Sequence, residues 1–354
     1  MKKIALILIL LPFLTVMLFT SAAVIYEYKP EAVEPAELIN AGSVEKNVKN
    51  SKSVTILTWN TGYAGLGKNA DFFMDGGVSS RPSDSGKIKE NLNGIVAILQ
   101  QVEPDIILLQ EVDRSSRRAF KIDQARVLKS AFVNFESFYA VNFRVLWVPK
   151  PFADPIGNVE SGVMTISRSG SKAPVERVSL PNSSFWIDRV FNLKRCMLVT
   201  RYKIEKTKRE LVVINLHLSA YENEQIKTNQ LNFVKKYITD QYSKGNSVVA
   251  GGDWNHILPG IEKGTFGKYT TDESFLGWAA EMPERWTPEG WKWVIDQRIP
   301  TVRNNEKPYV QGENFTTIID GFLVSPDLDV ESVFTFSTGF EYSDHQPVVM
   351  TIKL

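Results

Sequence analysis

After residue 53, the hydrophobic positions form blocks that alternate between strand-like and helix-like patterns. Residues 87–102 carry apolar side chains at every third or fourth position, which predicts an amphipathic helix, and a second helix is predicted over 222–242. The nearly continuous apolar run 105–110 is typical of a strand buried on both faces. Further strands are predicted over 54–59, 139–148, 162–167, 196–204, 211–217, 247–250, 316–324 and 347–353. Many strands, few helices and no strict strand–helix–strand order predict one α/β (α+β) domain over 54–354, built from two packed sheets flanked by helices.

The chain begins with an apolar segment. Lys2 and Lys3 precede a run without charges from residue 4 to 26, and at 1.5 Å per residue this run reaches roughly 34 Å, enough to cross a hydrocarbon core of about 30 Å. Two lysines before the run favour a cytoplasmic amino terminus. We therefore predict a single-pass transmembrane signal anchor over 1–26, with the remainder outside the cytoplasm at the cell membrane. Cleavage at Ser21-Ala22-Ala23, which would make the protein secreted, and a buried core helix are the alternatives.

A polar segment follows, from residue 27 to 53. It contains Pro30 and Pro35 and lacks apolar periodicity, so we expect it to be a linker without regular structure. The sequence is thus interpreted as an anchor, a polar linker and one catalytic domain.

Composition and charge exclude several classes of protein. The 354 residues include 41 Lys and Arg against 40 Asp and Glu, and this net charge of +1 excludes the strongly basic surface of a protein that coats nucleic acid non-specifically. Cys196 is the one cysteine, which excludes an intramolecular disulfide framework and every site built from several thiolates. Any histidine chemistry must use His217, His256 or His345.

Polar residues recur at or just after the carboxyl ends of the predicted strands, where α/β proteins tend to build their sites. They are Asn60, Glu111, His217, Asp253, Asn255, Asp320, Asp344 and His345. Taken alone, each has a structural explanation as a turn former, a surface carboxylate or a core histidine. Together they supply hard oxygen donors for a divalent cation, two imidazoles and a neutral amide, which is a coherent set for hydrolytic chemistry.

Several short segments that contain these residues follow one another in a fixed order. They are Thr58-Trp-Asn60, Leu108-Leu-Gln-Glu-Val-Asp113, Ser161-Gly-Val-Met-Thr-Ile-Ser-Arg168, Asn215-Leu-His217, Gly252-Asp-Trp-Asn255, Ile319-Asp-Gly-Phe-Leu-Val-Ser325 and Ser343-Asp-His-Gln-Pro347. The ordered set resembles the endonuclease/exonuclease/phosphatase (DNase I-like) superfamily over nearly all of 54–354. The resemblance implies a four-layered sandwich of two packed mixed β-sheets flanked by helices, and metal-dependent cleavage of a phosphoester bond.

The resemblance also implies a metal site. Glu111 resembles the principal metal-binding glutamate of the superfamily, with Asn60 and Asp344 as direct or water-mediated partners. The expected cofactor is Mg²⁺, with Mn²⁺ or Ca²⁺ as alternatives. A divalent ion suits this chemistry because a phosphodiester is anionic, and negative charge that develops on its oxygens must be neutralised.

The catalytic residues are carried over in the same way. Asp253 resembles the aspartate that orients or deprotonates the attacking water, and Asn255 resembles the amide that holds the phosphate and that aspartate. His345 and Asp320 resemble the His–Asp pair of the active site. His217 resembles the histidine that contacts the scissile phosphate or assists the leaving oxygen. A histidine paired with a carboxylate has a fixed tautomer and a raised pKa, which suits proton transfer.

Three further residues are weaker candidates for substrate contact. Arg195 precedes a predicted strand, Arg114 follows the Glu111 motif with Arg117 and Arg118 nearby, and His256 directly follows Asn255. Solvated surface charge is the alternative for the arginines, and a structural role is the alternative for His256.

The sequence therefore predicts a membrane-tethered, Mg²⁺-dependent phosphodiesterase, a nuclease with nucleic acid favoured over phospholipid as the substrate. The alternatives within the superfamily are a phospholipid or sphingomyelin phosphodiesterase and a phosphomonoesterase. An inactive substrate-binding module is the alternative from another class. No obligate protein partner is indicated.

Overall fold

Two seven-stranded sheets pack against each other at the centre of the protein, in a computed structural model that describes residues 2–44, 53–183 and 185–354. The helices are α1 (Lys2–Ile25), α2 (Ser85–Val102), α3 (Gln124–Ala131), α4 (Trp186–Phe191) and α5 (Glu224–Ser243). The earlier strands are β1 (Val33–Pro35), β2 (Glu37–Asn40), β3 (Ser53–Asn60), β4 (Ile106–Asp113), β5 (Glu136–Val148), β6 (Gly157–Ser167), β7 (Glu176–Ser179), β8 (Cys196–Lys203) and β9 (Glu210–His217). The later strands are β10 (Ser247–Asp253), β11 (His256–Ile257), β12 (Ala280–Glu281), β13 (Lys292–Val294), β14 (Val302–Arg303), β15 (Thr316–Thr317), β16 (Asp320–Val324), β17 (Asp329–Thr335) and β18 (Val348–Lys353).

Both large sheets are mixed. The first sheet has the strand order β1-β7-β8-β9-β10-β16-β13, and the second has the order β17-β18-β3-β4-β6-β5-β2. Near the centre of the first sheet β9 and β10 run parallel, and β3 and β4 run parallel in the second. Neighbouring parallel strands end at the same edge of a sheet, so the residues at their carboxyl ends are brought together there.

Side chains alternate between the two faces of each sheet. On β9, Val213 packs between the sheets with Ile56 and Phe322, whereas its neighbours Val212 and Ile214 belong to the apolar cluster under α5. Helices α2 and α3 cover the outer face of the second sheet in the same way. The predicted sandwich of two packed mixed sheets with flanking helices is confirmed.

A buried polar cross-link joins the two sheets. Asn215 on β9 donates from Nδ2 to the backbone oxygens of Leu109 at 3.1 Å and Met164 at 3.0 Å, both in the second sheet. Its Oδ1 accepts a 2.7 Å hydrogen bond from Nε2 of Gln110. Buried polar groups of this kind fix the position of one layer against the other because any shift would leave donors and acceptors unpaired.

Replacing Asn215 with Leu should destabilise the fold by about 2–5 kcal/mol, because it removes the buried hydrogen bonds that Asn215 makes with two carbonyl oxygens and with the Gln110 amide. Urea unfolding of the full chain, followed by tryptophan fluorescence, measures the effect. The control is Asn229→Leu, since Asn229 lies exposed on α5 and should contribute less than about 0.5 kcal/mol. A change below about 1 kcal/mol for Asn215→Leu would contradict this role.

Helix α1 is present at the amino terminus, but the structure does not support the predicted membrane span. In the described part of the chain, none of the helices is both long enough and apolar enough to cross a membrane. The end of α1 packs against the domain, since Ala23 is buried and the ring of Phe19 stacks on that of Phe191 with their centroids 6.0 Å apart. The cell location stays a prediction.

The described part of the predicted linker, residues 27–44, pairs with both sheets. Strand β1 joins the edge of the first sheet with Val33 opposite Val178, and β2 joins the edge of the second with Leu38 opposite Phe138. This segment therefore connects the edges of the two sheets and contains regular structure that the linker prediction did not include. Residues 45–52 of the predicted linker lie outside the described residues, and the domain boundaries stay predictions.

Candidate active site

The ends of five strands place the predicted chemical groups at one edge of the sandwich. In the first sheet Asp253, the last residue of β10, lies opposite His217 in the parallel ladder with β9. On its other side it lies opposite Asp320, the first residue of β16. From the second sheet, Asn60 ends β3 and donates from Nδ2 to Asp253 Oδ2 at 2.9 Å. His345, just before β18, completes the group with Nε2 3.9 Å from Asp253 Oδ2.

His345 and Asp320 form a buried pair. The Nδ1 atom of His345 lies 2.9 Å from Asp320 Oδ2, and the backbone oxygen of His345 accepts a hydrogen bond from Trp59 Nε1, also at 2.9 Å. Burial alone would lower the pKa of His345, but the charge and hydrogen bond of Asp320 outweigh it and raise this pKa to about 10. At neutral pH His345 is therefore an imidazolium held in one orientation.

Asp253 lies at the centre of the cluster that Asn60, His217, Asp253, Asp320 and His345 form at this edge of the sandwich. Its Oδ1 accepts the backbone N–H of Asn255 at 2.9 Å, while its Oδ2 lies 3.3 Å from Nε2 of His217. Burial raises the pKa of Asp253 to about 7, and the neighbouring Asp320 carboxylate adds to the shift, whereas His345 opposes it. A carboxylate whose pKa lies near neutrality is suited to accept and release a proton at physiological pH.

His217 has the opposite electrostatic environment from His345. Burial lowers the pKa of His217 well below its usual value, and the positive charges of Arg195 and His345 lower it further. Its Nδ1 atom is buried and has no hydrogen-bond partner among the described residues. A neutral imidazole and an imidazolium thus lie on two sides of Asp253.

Asn255 holds Asp253 through its backbone, whereas the resemblance assigned this contact to its side-chain amide. Its backbone N–H holds Asp253, but its side-chain Nδ2 donates to the backbone oxygen of Leu218 at 2.7 Å. The residue adopts a left-handed conformation with φ of 48°, which is uncommon for a residue other than glycine. A contact between the Asn255 amide and a phosphate stays a prediction.

Glu111 follows the parallel strand pair at an irregular point of β4, where the pairing with β6 shifts between Leu109 and Val112. Its φ is 54°, and the side chain lies 3.4 Å from Asn60 Nδ2 and 3.8 Å from Arg118 Nη2. Burial raises the pKa of Glu111, Arg118 opposes the shift and Asp344 adds to it. The local bulge therefore turns this carboxylate toward the cluster at the cost of an unusual backbone conformation.

Arg118, which is close to Arg114 in the sequence, lies 3.8 Å from Glu111 and is fixed there by other contacts. Its guanidinium pairs with both oxygens of Asp113 at 2.9 Å and lies over the ring of Tyr63 at 3.9 Å from the centroid. The short spacing from Asp113 to Arg118 is the only sequence signal for this pair.

Asp344 lies beside Glu111 and is fixed by its own neighbours. Its Oδ2 accepts from Asn305 Nδ2 at 2.8 Å, and its Oδ1 accepts from Ser343 Oγ at 3.3 Å. Gly62 approaches so closely that a Cβ atom at that position would lie 2.6 Å from Asp344 Oδ1, and its φ of 50° also favours glycine. The N–H of Gly62 donates to Asn60 Oδ1 at 3.0 Å, which turns the Asn60 NH₂ group toward the carboxylates.

One group of residues in the described chain has donor atoms in the arrangement of a metal site. Ligand atoms of Asp253, Asp320 and His345 all lie within 4.8 Å of one another. The 2.9 Å contact between His345 Nδ1 and Asp320 Oδ2 already joins two of these donors as a hydrogen-bonded pair. Glu111, which is half-buried, and Asp344, which is buried, provide a second pair of carboxylates, and each of their oxygens is a hard donor that divalent cations prefer.

Arg195 is buried next to this cluster, with only 6% of its surface exposed. Its Nε and Nη1 atoms have no hydrogen-bond partner among the described residues. The guanidinium is close enough to lower the pKa of His217 and to oppose the raised pKa of Glu111, whose main cause is burial. A buried cation with free donors is costly unless an anion joins it.

The other two weaker candidates do not contact the cluster in the described part of the structure. Arg114 pairs with Glu37 Oε2 at 2.6 Å and lies over the ring of Tyr139. His256 is buried with Nδ1 2.8 Å from the backbone oxygen of Trp254, and burial lowers its pKa. The contacts of Arg114 and His256 therefore indicate structural roles for both residues.

Known proteins match this chain in sequence and in fold. Residues 57–345 match the model of the Endonuclease/Exonuclease/phosphatase family. An endonuclease/exonuclease/phosphatase from Beutenbergia cavernae DSM 12333 is similar at 17% identity and a TM-score of 0.50, over 86% of this chain and 72% of that chain. D. rerio TDP2 complexed with single strand DNA product is similar at 15% identity and a TM-score of 0.50, over 86% of this chain and 100% of that chain.

A third similar structure is ANGEL2, a 2′,3′-cyclic phosphatase, in complex with adenosine-2′,3′-vanadate. It has 12% identity and a TM-score of 0.55, over 92% of this chain and 99% of that chain. At these identities the structural likeness concerns the fold. None of the curated proteins matches the sequence.

Proposed function

Because this chain belongs to the endonuclease/exonuclease/phosphatase family, we propose that it is a divalent-metal-dependent phosphodiesterase whose favoured substrate is nucleic acid. The observation that carries the proposal is the buried guanidinium of Arg195 near His217 and Glu111, two of whose donor atoms have no hydrogen-bond partner among the described residues. A phosphate group matches this site because its oxygens accept hydrogen bonds from a guanidinium and neutralise its charge.

The cluster supports a hydrolytic mechanism. A water oxygen attacks phosphorus while the Asp253 carboxylate accepts the water proton. The P–O bond to the leaving group then breaks, and the departing oxygen takes a proton from the His345 imidazolium, which Asp320 holds in place. Arg195 offsets negative charge on the phosphoryl oxygens, and neutral His217 holds Asp253 from the other side.

Glu111 and Asp344, with Asn60 between Glu111 and Asp253, are the residues that would hold the divalent ion, and Mg²⁺ is the expected one. These two carboxylates fit a cation because their negative charges repel each other, which adds to the raised pKa of Glu111, and Arg118 at 3.8 Å offsets only part of that charge. The ion would neutralise negative charge on the phosphate oxygens during bond cleavage.

A substrate panel with the full chain tests the proposal. It contains single-stranded DNA, plasmid DNA, RNA, sphingomyelin and an inositol phosphate, each assayed with Mg²⁺ and with EDTA. The similar structures of TDP2 and ANGEL2 carry a single strand DNA product and adenosine-2′,3′-vanadate, so nucleic acid is the first class to assay. Turnover of sphingomyelin or of the inositol phosphate alone would favour the other hydrolases of the superfamily. Binding without turnover of any substrate would favour an inactive binding module.

Replacing Arg195 with Met should reduce kcat/KM by about 10- to 100-fold, since the phosphate loses charge-assisted hydrogen bonds. The same change should raise Tm of the substrate-free protein, because it removes a buried charge that has two unpaired donors. Kinetics and thermal unfolding of the same preparation measure both effects.

The matched control is Arg114→Met. Arg114 pairs with Glu37 at 2.6 Å, so its loss should leave kcat/KM within about threefold of the wild-type value and should not raise Tm. If Arg195→Met lowered Tm and left kcat/KM unchanged, Arg195 would be a structural residue and the observation that carries the proposal would be lost.

A further inference from the structure

A hydrogen-bonded chain of three residues leads away from Asp344. Asn305, in the loop after β14, donates from Nδ2 to Asp344 Oδ2 at 2.8 Å and to Asp75 Oδ2 at 2.9 Å. The other oxygen of Asp75 is hydrogen-bonded to the hydroxyl of Tyr221. The phenol of Tyr221 is thus connected to a predicted metal ligand through two buried side chains.

This chain joins loops that belong to different sheets. Asp75 lies in the loop that follows β3 of the second sheet, and Tyr221 lies four residues after His217 in the loop that follows β9 of the first. The hydrogen bond between them therefore connects the two halves of the sandwich at the edge where the cluster lies.

The exposure of the three residues differs sharply. Asp75 and Asn305 are buried, whereas Tyr221 is 50% exposed. Its hydroxyl is held on a buried carboxylate, and its ring has no aromatic or cationic ring contact among the described residues. The aromatic surface is thus exposed, linked to Asp344 through two buried side chains, and available to a ligand.

We propose that the ring of Tyr221 is a stacking surface for the nucleobase next to the scissile phosphate, and that Asp75 holds the ring in place. The proposal rests on the proposed function and narrows its substrate class to nucleotides that carry a base in a single strand. Bases stack well on tyrosine rings, and stacking tolerates any base because each has an aromatic face. A base inside a duplex has both faces covered by its neighbours, so a single strand or a frayed end is the form that presents one.

Two oligonucleotides of equal length and charge test the proposal on the full chain with Mg²⁺. One is a single-stranded oligothymidylate, and the other has the same backbone with abasic sugars in place of the nucleotides. The wild type should cleave the first with a kcat/KM about 5- to 100-fold higher than the second. Tyr221→Leu should abolish this preference by raising KM for the oligothymidylate, with little change for the abasic chain.

Tyr221→Phe separates stacking from the hydrogen bond. This variant keeps the ring but loses the hydroxyl that Asp75 holds, so it should retain a base preference that is smaller than that of the wild type. Phe152→Leu is the matched control, since Phe152 is an aromatic residue that is 88% exposed in the loop between β5 and β6, and its loss should change neither rate.

Three outcomes would overturn the proposal. An equal loss of kcat/KM on both oligonucleotides in Tyr221→Leu would mean that Tyr221 has only a structural role, which is to link the two loops. Cleavage of both oligonucleotides at the same rate by the wild type would refute base stacking and leave the phosphodiesterase function intact. Cleavage of neither, together with turnover of a lipid or of an inositol phosphate, would refute the nucleic-acid substrate itself.

Discussion

The Asp253→Asn variant should lose about 100- to 10,000-fold in kcat, because it removes the carboxylate that accepts a proton from water. Asn has the same shape and keeps the side chain between Asn60 and His217, so the change is mainly in charge and basicity. Single-turnover kinetics measures the loss, and circular dichroism checks that the variant is folded. Asp240→Asn is the control, since Asp240 is exposed on α5 and pairs with Lys236.

The pH dependence gives this prediction a second readout. Asp253 acts as the base only when it has lost its proton, so the wild-type rate should rise through its pKa of about 7. His345 acts as the acid only while it keeps its proton, so the rate should decline through its pKa of about 10. The folded-state pKa of Asp253 also lies above its ordinary value of 3.8, so the folded protein binds more protons between these values and loses stability as the pH rises through them. In the Asp253→Asn variant, the free energy of unfolding should lack this decrease with rising pH. A rate near that of the wild type would refute the role of Asp253 as the base.

The sequence contains enough local information to locate most of the cluster. Asn60, His217 and Asp253 each end a strand whose apolar pattern is continuous, and the predicted strands 54–59 and 211–217 differ from β3 and β9 by one residue at their ends. In each case the polar residue interrupts the apolar run at the strand end, which is a signal contained within a few positions. The parallel pairing of central strands then places these ends side by side.

The parts of the fold that were not predicted depend on contacts between distant segments. Strands β1 and β2 are short and polar, and they form only because the edges of two separate sheets accept them. Strand β17 is largely exposed at an edge, so it lacks the apolar pattern of a buried strand. The run predicted over 316–324 is divided into β15 and β16, and this break sets Asp320 at the start of a strand opposite Asp253.

The residues around the cluster were missed for a similar reason. Asp75, Tyr221 and Asn305 come from three loops that are far apart in the chain, and none of them follows an apolar strand directly. Arg195 was found as a candidate, but its burial and its two free donor atoms are properties of the folded chain alone. Sequence patterns locate groups at strand ends, whereas groups that support them from loops are seen only in the tertiary structure.

Glu111 differs from the other cluster residues because its backbone is in an unusual conformation. Its φ of 54° is sparsely populated by residues other than glycine and costs on the order of 1 kcal/mol or more. Arg118, held by Asp113, offsets part of the charge but remains 3.8 Å away. A carboxylate whose ion-pair partner among the described residues is 3.8 Å away is suited to bind a cation, so Glu111 is the residue with which to test the metal site.

Glu111→Gln should reduce activity at least about 1000-fold at 1 mM Mg²⁺, since it removes a charged ligand while it preserves the size of the side chain. In thermal unfolding, Mg²⁺ should raise Tm of the wild type by preferential binding to the folded state and should leave Tm of the variant nearly unchanged. Glu90→Gln is the control, because Glu90 is exposed on α2, pairs with Lys87 and should keep the wild-type response to Mg²⁺. An equal Mg²⁺-induced rise of Tm in Glu111→Gln and in the wild type would place the ion elsewhere, and the Asp253–Asp320–His345 group would be the alternative to test by the same assay.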